Sequence, residues 1–123
     1  AKACALNKRF NCSDGKQLRD FIFIDDLVNA IIKALKNKNA IGNIFNIGSG
    51  KKVSIKLIIQ LIQKYFNMGV PIFGTIKLRS DESNAIYPNI SKAKKILRWK
   101  PSNNFKKGLT KTLKFYKKRY KPK

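Results

Sequence analysis

The segment Arg19-Asp20-Phe21-Ile22-Phe23-Ile24-Asp25-Asp26 is the part of the chain best equipped for chemistry. A guanidinium just before an apolar run is poorly placed for a core, but it is well placed to fork onto phosphate oxygens at a strand's edge. An ion pair with the adjacent Asp20 accounts for the same residues, and residue types alone leave both readings open. Gly48-Ser49-Gly50-Lys51 is a second candidate, because backbone amides of a glycine-rich turn can cradle phosphate. A Walker loop, however, needs a glycine where Phe45 stands, and a dinucleotide fingerprint needs a small residue where Val53 stands. The turn therefore reads as a structural link from strand into helix. The third candidate is the run from Lys92 to Lys123, which contains no acid and carries Trp99, Phe115, Tyr116 and Tyr120 among its lysines. A nucleic-acid groove would expose those rings for stacking. Tyr116 instead continues an apolar helical stripe, so the run reads as a solvated basic helix.

Composition narrows the classes further. The chain has 123 residues, enough for one domain (1–123) with its own core. Its 28 Lys and Arg against 6 Asp and Glu give a net charge of +22, which first suggests nucleic acid. A hydrophobic share of 43% excludes a disordered basic tail. Arginine occurs only at positions 9, 19, 79, 98 and 119, and the chain is also rich in Ile and Asn. Lys, Ile and Asn share A/T-rich codons, so much of the charge reads as base-composition bias on exposed faces. With no His, and Cys4 and Cys12 as the only cysteines, the sequence supplies no metal-ligand set, no Ser/His/Asp or Cys/His group and no disulfide framework. Two isolated thiols suit a reducing cytoplasm. No apolar run approaches the ~18 residues of a membrane span, so no membrane partner is expected.

The elements that must position these residues alternate between strand-like and helix-like patterns, an α/β arrangement. Residues 1–7 read as the end of a helix and Asn11–Gly15 as a turn. Phe21–Ile24 reads as a buried strand, followed by a helix capped by Asp25 or Asp26 with Leu27, Ile31, Ala34 and Leu35 on one face. Asn43–Ile47 is the next strand. Ser54 caps a helix over 55–66, with Val53 placed to staple onto Ile58 and Gly69 as the stop signal. Ile72–Leu78 reads as a strand and Arg79–Asn84 as a polar loop. Ser91 caps a short helix through Leu97, and a last helix from about Phe105 to Tyr120 carries Phe105, Leu109, Leu113 and Tyr116 along one stripe.

Three blocks together resemble a known family. They are Gln17–Asp26, then Ile44–Gly50 with Ser54-Ile55, then Ser91–Leu97 with Trp99-Lys100-Pro101. Their order and spacing are similar to the C-terminal portion of the NAD-dependent epimerase/dehydratase family, the extended short-chain dehydrogenases that remodel nucleotide sugars as oxidoreductases, lyases or isomerases. Phe73-Gly74 followed by Arg79 and Glu82 resembles the branch of 4-keto-sugar reductases and abequose-synthase-like enzymes. The resemblance implies an α/β fold belonging to a Rossmann-like enzyme, a role in polysaccharide biosynthesis, and a nucleotide sugar as ligand. It carries four substrate-binding residues onto this chain: Arg19 and Arg79 on the diphosphate, Glu82 on ribose hydroxyls and Val53 near the base. It also implies a homodimeric parent enzyme using NAD or NADP.

Two family features have no counterpart in the sequence. No glycine-rich fingerprint is present, and Tyr65, Tyr87 and Tyr116 have no lysine four positions on, so no Tyr-x-x-x-Lys pair forms. The expectation is a fragment that lacks the N-terminal Rossmann domain, neither binds cofactor nor catalyses alone, and leaves the Asn43–Ile47 edge and the face of the preceding helix uncovered. The competing expectation, from a different class, is a small basic nucleic-acid-binding module.

Overall fold

The computed structural model describes residues 1–120; the last three residues of the basic run lie outside the described residues. In chain order the elements are α1 (Lys2–Ala5), β1 (Arg9–Asn11), β2 (Leu18–Asp20), α2 (Ile24–Leu35), β3 (Lys52–Ser54), α3 (Ile55–Phe66), β4 (Val70–Ile72), β5 (Ala85–Ile86), α4 (Ser91–Ile96) and α5 (Phe105–Arg119). They form two small sheets. One pairs β1 with β4 in parallel, and the other has the order β3-β2-β5, with β2 antiparallel to β3 and parallel to β5.

The two long helices with local capping signals form where expected. Ser54 Oγ accepts from the Leu57 amide at 3.2 Å at the start of α3, and Asn104 Oδ1 accepts from the Lys107 amide at 2.9 Å at the start of α5. The α5 stripe is buried as its spacing requires: Leu113 is core, with Leu109 and Tyr116 packed beside it against Cys4, Ala5 and Phe66. A second cluster gathers Ala30, Ile90, Ala93, Leu97 and Trp99.

Other elements depart from expectation. The ladder ends at Asp20, so Phe21–Ile24 is no buried strand: Phe23 is the extended residue that opens α2, and Phe21 packs edge-on against Phe105 at 6.3 Å. A short apolar run has the same composition in a strand and at a helix entry, and long-range pairing decides between them. Neither Asp25 nor Asp26 caps α2. Asp26 is buried and faces a distant loop, accepting from the Ser102 amide at 2.9 Å, Ser102 Oγ at 2.6 Å and the Asn103 amide at 3.0 Å, while its backbone carbonyl accepts from Trp99 Nε1 at 3.1 Å. The α2 face is uncovered as expected at Ile31 and Leu35, which are exposed, while Ala30 is the buried apolar residue of the helix and Ala34 packs beside it.

Asn43–Ile47 has no ladder partner, although Phe45 and Ile47 touch the Trp99 cluster. The expected strand over 72–78 ends at Ile72, because the amides of Thr75 and Ile76 both turn back to the Cys12 carbonyl at 3.1 Å. The C-cap of α3 is left-handed Asn67 rather than Gly69. Gly69 serves a different contact: a Cβ there would stand 2.7 Å from Cys4 Cα. At α4 the cap position is Ile90, and Asn89 Oδ1 takes the Ser91 amide at 3.0 Å.

Burial alone would raise the Asp26 pKa, but the hydrogen bonds from Ser102 and Asn103 outweigh it and hold the carboxyl below its ordinary value. A depressed native pKa contributes stability above the unfolded value, and that contribution is lost as pH falls through the native one. Asp26→Asn turns an amide toward the Asn103 donors and should cost about 1–3 kcal/mol at neutral pH. In urea melts across pH, the gap between wild type and variant should narrow below pH 3.8; a constant gap counts against this account.

Candidate anion site on the three-stranded sheet

Strand alternation sends Arg19 and Asp20 to opposite faces of β2, and each finds a different task. Asp20 does not pair with Arg19. Its Oδ1 accepts from the Ser49 amide at 2.8 Å, and its Oδ2 accepts from Ser49 Oγ at 3.0 Å and the Lys51 amide at 3.2 Å. The Gly48–Lys51 turn is therefore gathered around a carboxylate. Gly48 is required there by proximity: a Cβ would lie 2.3 Å from Pro88 Cγ and 3.2 Å from Asp20 Oδ2. Because the Ser49 and Lys51 amides are committed to Asp20, this turn does not offer them to a phosphate. A dinucleotide pyrophosphate does not fit it.

Arg19 stands opposite Val53 of β3 and Ile86 of β5. Its guanidinium donates to the carbonyls of Leu18 at 2.8 Å and Ser83 at 3.0 Å, and it forms an ion pair with Glu82. Glu82 also receives Arg79 at 3.5 Å, across a turn closed by the Glu82 amide donating to the Arg79 carbonyl at 3.0 Å. The Arg19 and Glu82 side chains are 20% and 22% exposed, whereas that of Arg79 is 81% exposed. One fork is thus held by the sheet and the other is presented by an exposed loop, both toward the same carboxylate.

All four residues expected to bind substrate meet here. Arg19, Arg79 and Glu82 make direct contacts, and Val53 neighbours Arg19 across the ladder. Of the four, Arg19 also lines a cleft of about 550 Å³, together with Asn46, Ile86, Tyr87 and Asn89 among others. Tyr87 is half exposed, with Lys52 Nζ 5.6 Å from its ring centroid. Sequence reasoning did not single out Asn46, Tyr87 or Asn89, because loop residues carry no periodicity. Their proximity to β5 and the Gly48 turn was the missing signal.

The features expected of a nucleic-acid groove do not gather in the same way. Trp99 is 1% exposed, and Tyr116 and Tyr120 pack against the Cys4 cluster, which leaves Phe115 as the exposed ring of the four. Among the described residues no cluster of His, Cys, Asp and Glu could hold a metal ion, and no helix is long and apolar enough to cross a membrane.

Residues 2–48 match the model of the NAD dependent epimerase/dehydratase family. A CDP-abequose synthase of Salmonella typhimurium is 35% identical over 117 residues, covering 89% of this chain and 39% of that enzyme. The chain belongs to the NAD dependent epimerase/dehydratase family. The abequose synthase also agrees with the branch suggested by Phe73-Gly74, Arg79 and Glu82. An uncharacterized UDP-glucose epimerase of Bacillus subtilis is 34% identical over 97 residues, 79% of this chain and 30% of that protein. Among solved structures, a Bacillus cereus UDP-glucuronic acid 4-epimerase in complex with UDP-glucuronic acid and NAD superposes with a TM-score of 0.81 at 32% identity, over 93% of this chain and 37% of that one. A Thermotoga maritima UDP-glucose 4-epimerase reaches 0.85 at 22% identity, covering 96% and 38% of the two chains, which establishes the shared α/β fold. The family member described here thus spans well under half the length of the relatives it matches.

Gly48→Ala should force the rigid Pro88 ring aside and cost about 1–3 kcal/mol, as overpacking does. Calorimetry should show a lowered Tm, and amide exchange should quicken across residues 48–52 and 85–90; an unchanged Tm contradicts the packing described.

Proposed function

We propose that this chain is the nucleotide-sugar-binding part of an NAD(P)-dependent sugar-nucleotide epimerase, dehydratase or reductase, with Arg19 and Arg79 on the diphosphate, Glu82 on the ribose hydroxyls and Val53 near the base. One observation carries the reading: two guanidinium groups from separate segments, one anchored by backbone carbonyls and one exposed on a loop, converge at a single carboxylate, and the anchored one also lines an open cleft. Planar, permanently charged forks suit a diphosphate, and a carboxylate within reach accepts from a diol. Cofactor and proton transfer then belong to a Rossmann half outside these residues, in an enzyme that works in the cytoplasm as a homodimer. Two free, buried thiols suit that compartment.

The surface of α2 supports the need for such a half. Ile24, Val28, Ile31, Ile32 and Leu35 are exposed at the spacing of one helical stripe, and Ile41 and Ile44 extend it beyond the helix. Leu35 is 82% exposed and Ile44 86%. We assign this face, with the unpaired Asn43–Ile47 segment, to the parallel sheet of the Rossmann half.

Calorimetric titration with CDP- and UDP-hexoses should show saturable binding that Arg19→Ala weakens by about tenfold or more, the scale of a charge-assisted hydrogen bond, and Arg79→Ala by less because of its exposure. Absent binding, or binding indifferent to both changes, refutes the reading. In light scattering the chain alone should self-associate, and Ile31→Glu with Leu35→Glu should make it monodisperse; a monodisperse wild type with a sharp melt argues against the assigned face.

A further inference from the structure

Away from the three-stranded sheet, the Cys4 cluster leaves a concavity of its own. Between α5 and the C-terminal end of α3 lies a cavity of about 430 Å³, within the ~300–1,000 Å³ range of small-molecule sites, and it shares no lining residue with the cleft at Arg19. Its apolar lining is built from Ala5, Tyr65, Phe66, Met68 and Tyr120. The rings are held in place: Tyr65 sits edge-on to Phe66 at 5.2 Å, and Tyr120 stacks on Tyr116 at 5.8 Å with Lys2 Nζ 5.5 Å from its ring. The rest of the lining is Lys114, Lys117 and Lys118, all exposed. Among the described residues no acid lines the cavity, and none of these three lysines forms an ion pair.

Cations in the last turns of a helix complement its dipole, which explains the lysines but not the apolar cavity beside them. Lys114 also repels Lys117 and Lys118, its neighbours three and four positions on. An anion set between these ammonium groups removes that repulsion, and the aromatic walls take an apolar body attached to it. Apart from tyrosine hydroxyls, the lysines supply the only polar side-chain groups of the lining, so a ligand with one charged end and an otherwise apolar body matches it. A covering protein surface is a poor occupant, since interface cores are depleted in lysine. A small ligand leaves the ammonium groups partly in water. We propose that this cavity is a binding site for an amphipathic monoanion, a carboxylate on an apolar chain of the fatty-acid class, whose tail lies on Tyr65, Phe66, Met68 and Tyr120 and whose headgroup meets Lys114, Lys117 and Lys118.

Met68 is the only methionine in the chain, so its methyl resonance reports occupancy of this cavity and not of the apolar α2 face. In the full chain, octanoate should shift that signal to saturation, whereas acetate, which has the charge without the tail, should leave it unmoved. Octanol, which has the tail without the charge, should bind at least about fivefold more weakly than octanoate. Lys117→Gln with Lys118→Gln should weaken octanoate by a similar factor, the scale of exposed ion pairs, and leave octanol unaffected. Both lysines are exposed, so the double variant keeps the fold, and comparing octanoate with octanol on wild type needs no variant. A Met68 signal that ignores octanoate overturns the proposal. So does equal binding of octanol, an equal response to acetate, or octanoate affinity unchanged in the lysine variant.

Discussion

Asp20 accepts hydrogen bonds from both ends of the Ser49–Lys51 turn, and the geometry of the site follows from that contact. Pulling the turn onto β2 delivers Lys52–Ser54 as an antiparallel neighbour, with Val53 opposite Arg19. It also presses Gly48 against Pro88, at the end of the segment that pairs β5 with the other edge of β2. A strand of three residues has too few ladder bonds to set its own register. Here a side-chain carboxylate supplies the constraint, and it leaves the opposite face of the strand to Arg19.

The division of labour between the adjacent charges Arg19 and Asp20 explains why the phosphate-loop resemblance of Gly48-Ser49-Gly50-Lys51 comes to nothing. Backbone amides that could have faced an external anion face an internal one, so anion recognition passes to side chains. Guanidinium groups suit that role, because Arg19 keeps its charge when half buried and its fork is oriented by two carbonyls. Ten of the other basic residues lie on α4 and α5, nine of them exposed lysines.

The described residues divide their apolar groups unequally. Two small clusters, around Trp99 and around Cys4, hold nine of the eleven buried apolar residues, while α2 turns five aliphatic side chains outward. Asp26 is what holds α2 in that orientation: a buried carboxylate bound by Ser102 and Asn103 ties the helix's first turn to the loop leading into α5. Rotating α2 to bury its aliphatic stripe would strip that carboxylate of its donors, and an unpaired buried charge is far more expensive than exposed apolar surface.

The sequence by itself determined the helices whose signals are local. Ser54 satisfies a free amide within one turn of its own position, and the α5 stripe needs only its spacing to mark a buried face. Arg19, Arg79, Glu82 and Val53 were legible through family blocks, since residue types alone left Arg19 between a phosphate ligand and a partner of Asp20. What only the tertiary structure decided depends on partners far along the chain. Asp26 meets a loop more than 70 residues away, the Asp20 turn lies about 30 residues on, and Glu82 reaches Arg19 across 63. The strand expected over Phe21–Ile24 was wrong for the same reason. A short apolar pattern states that a surface wants burial, but which neighbour covers it is settled by contacts the local sequence does not contain.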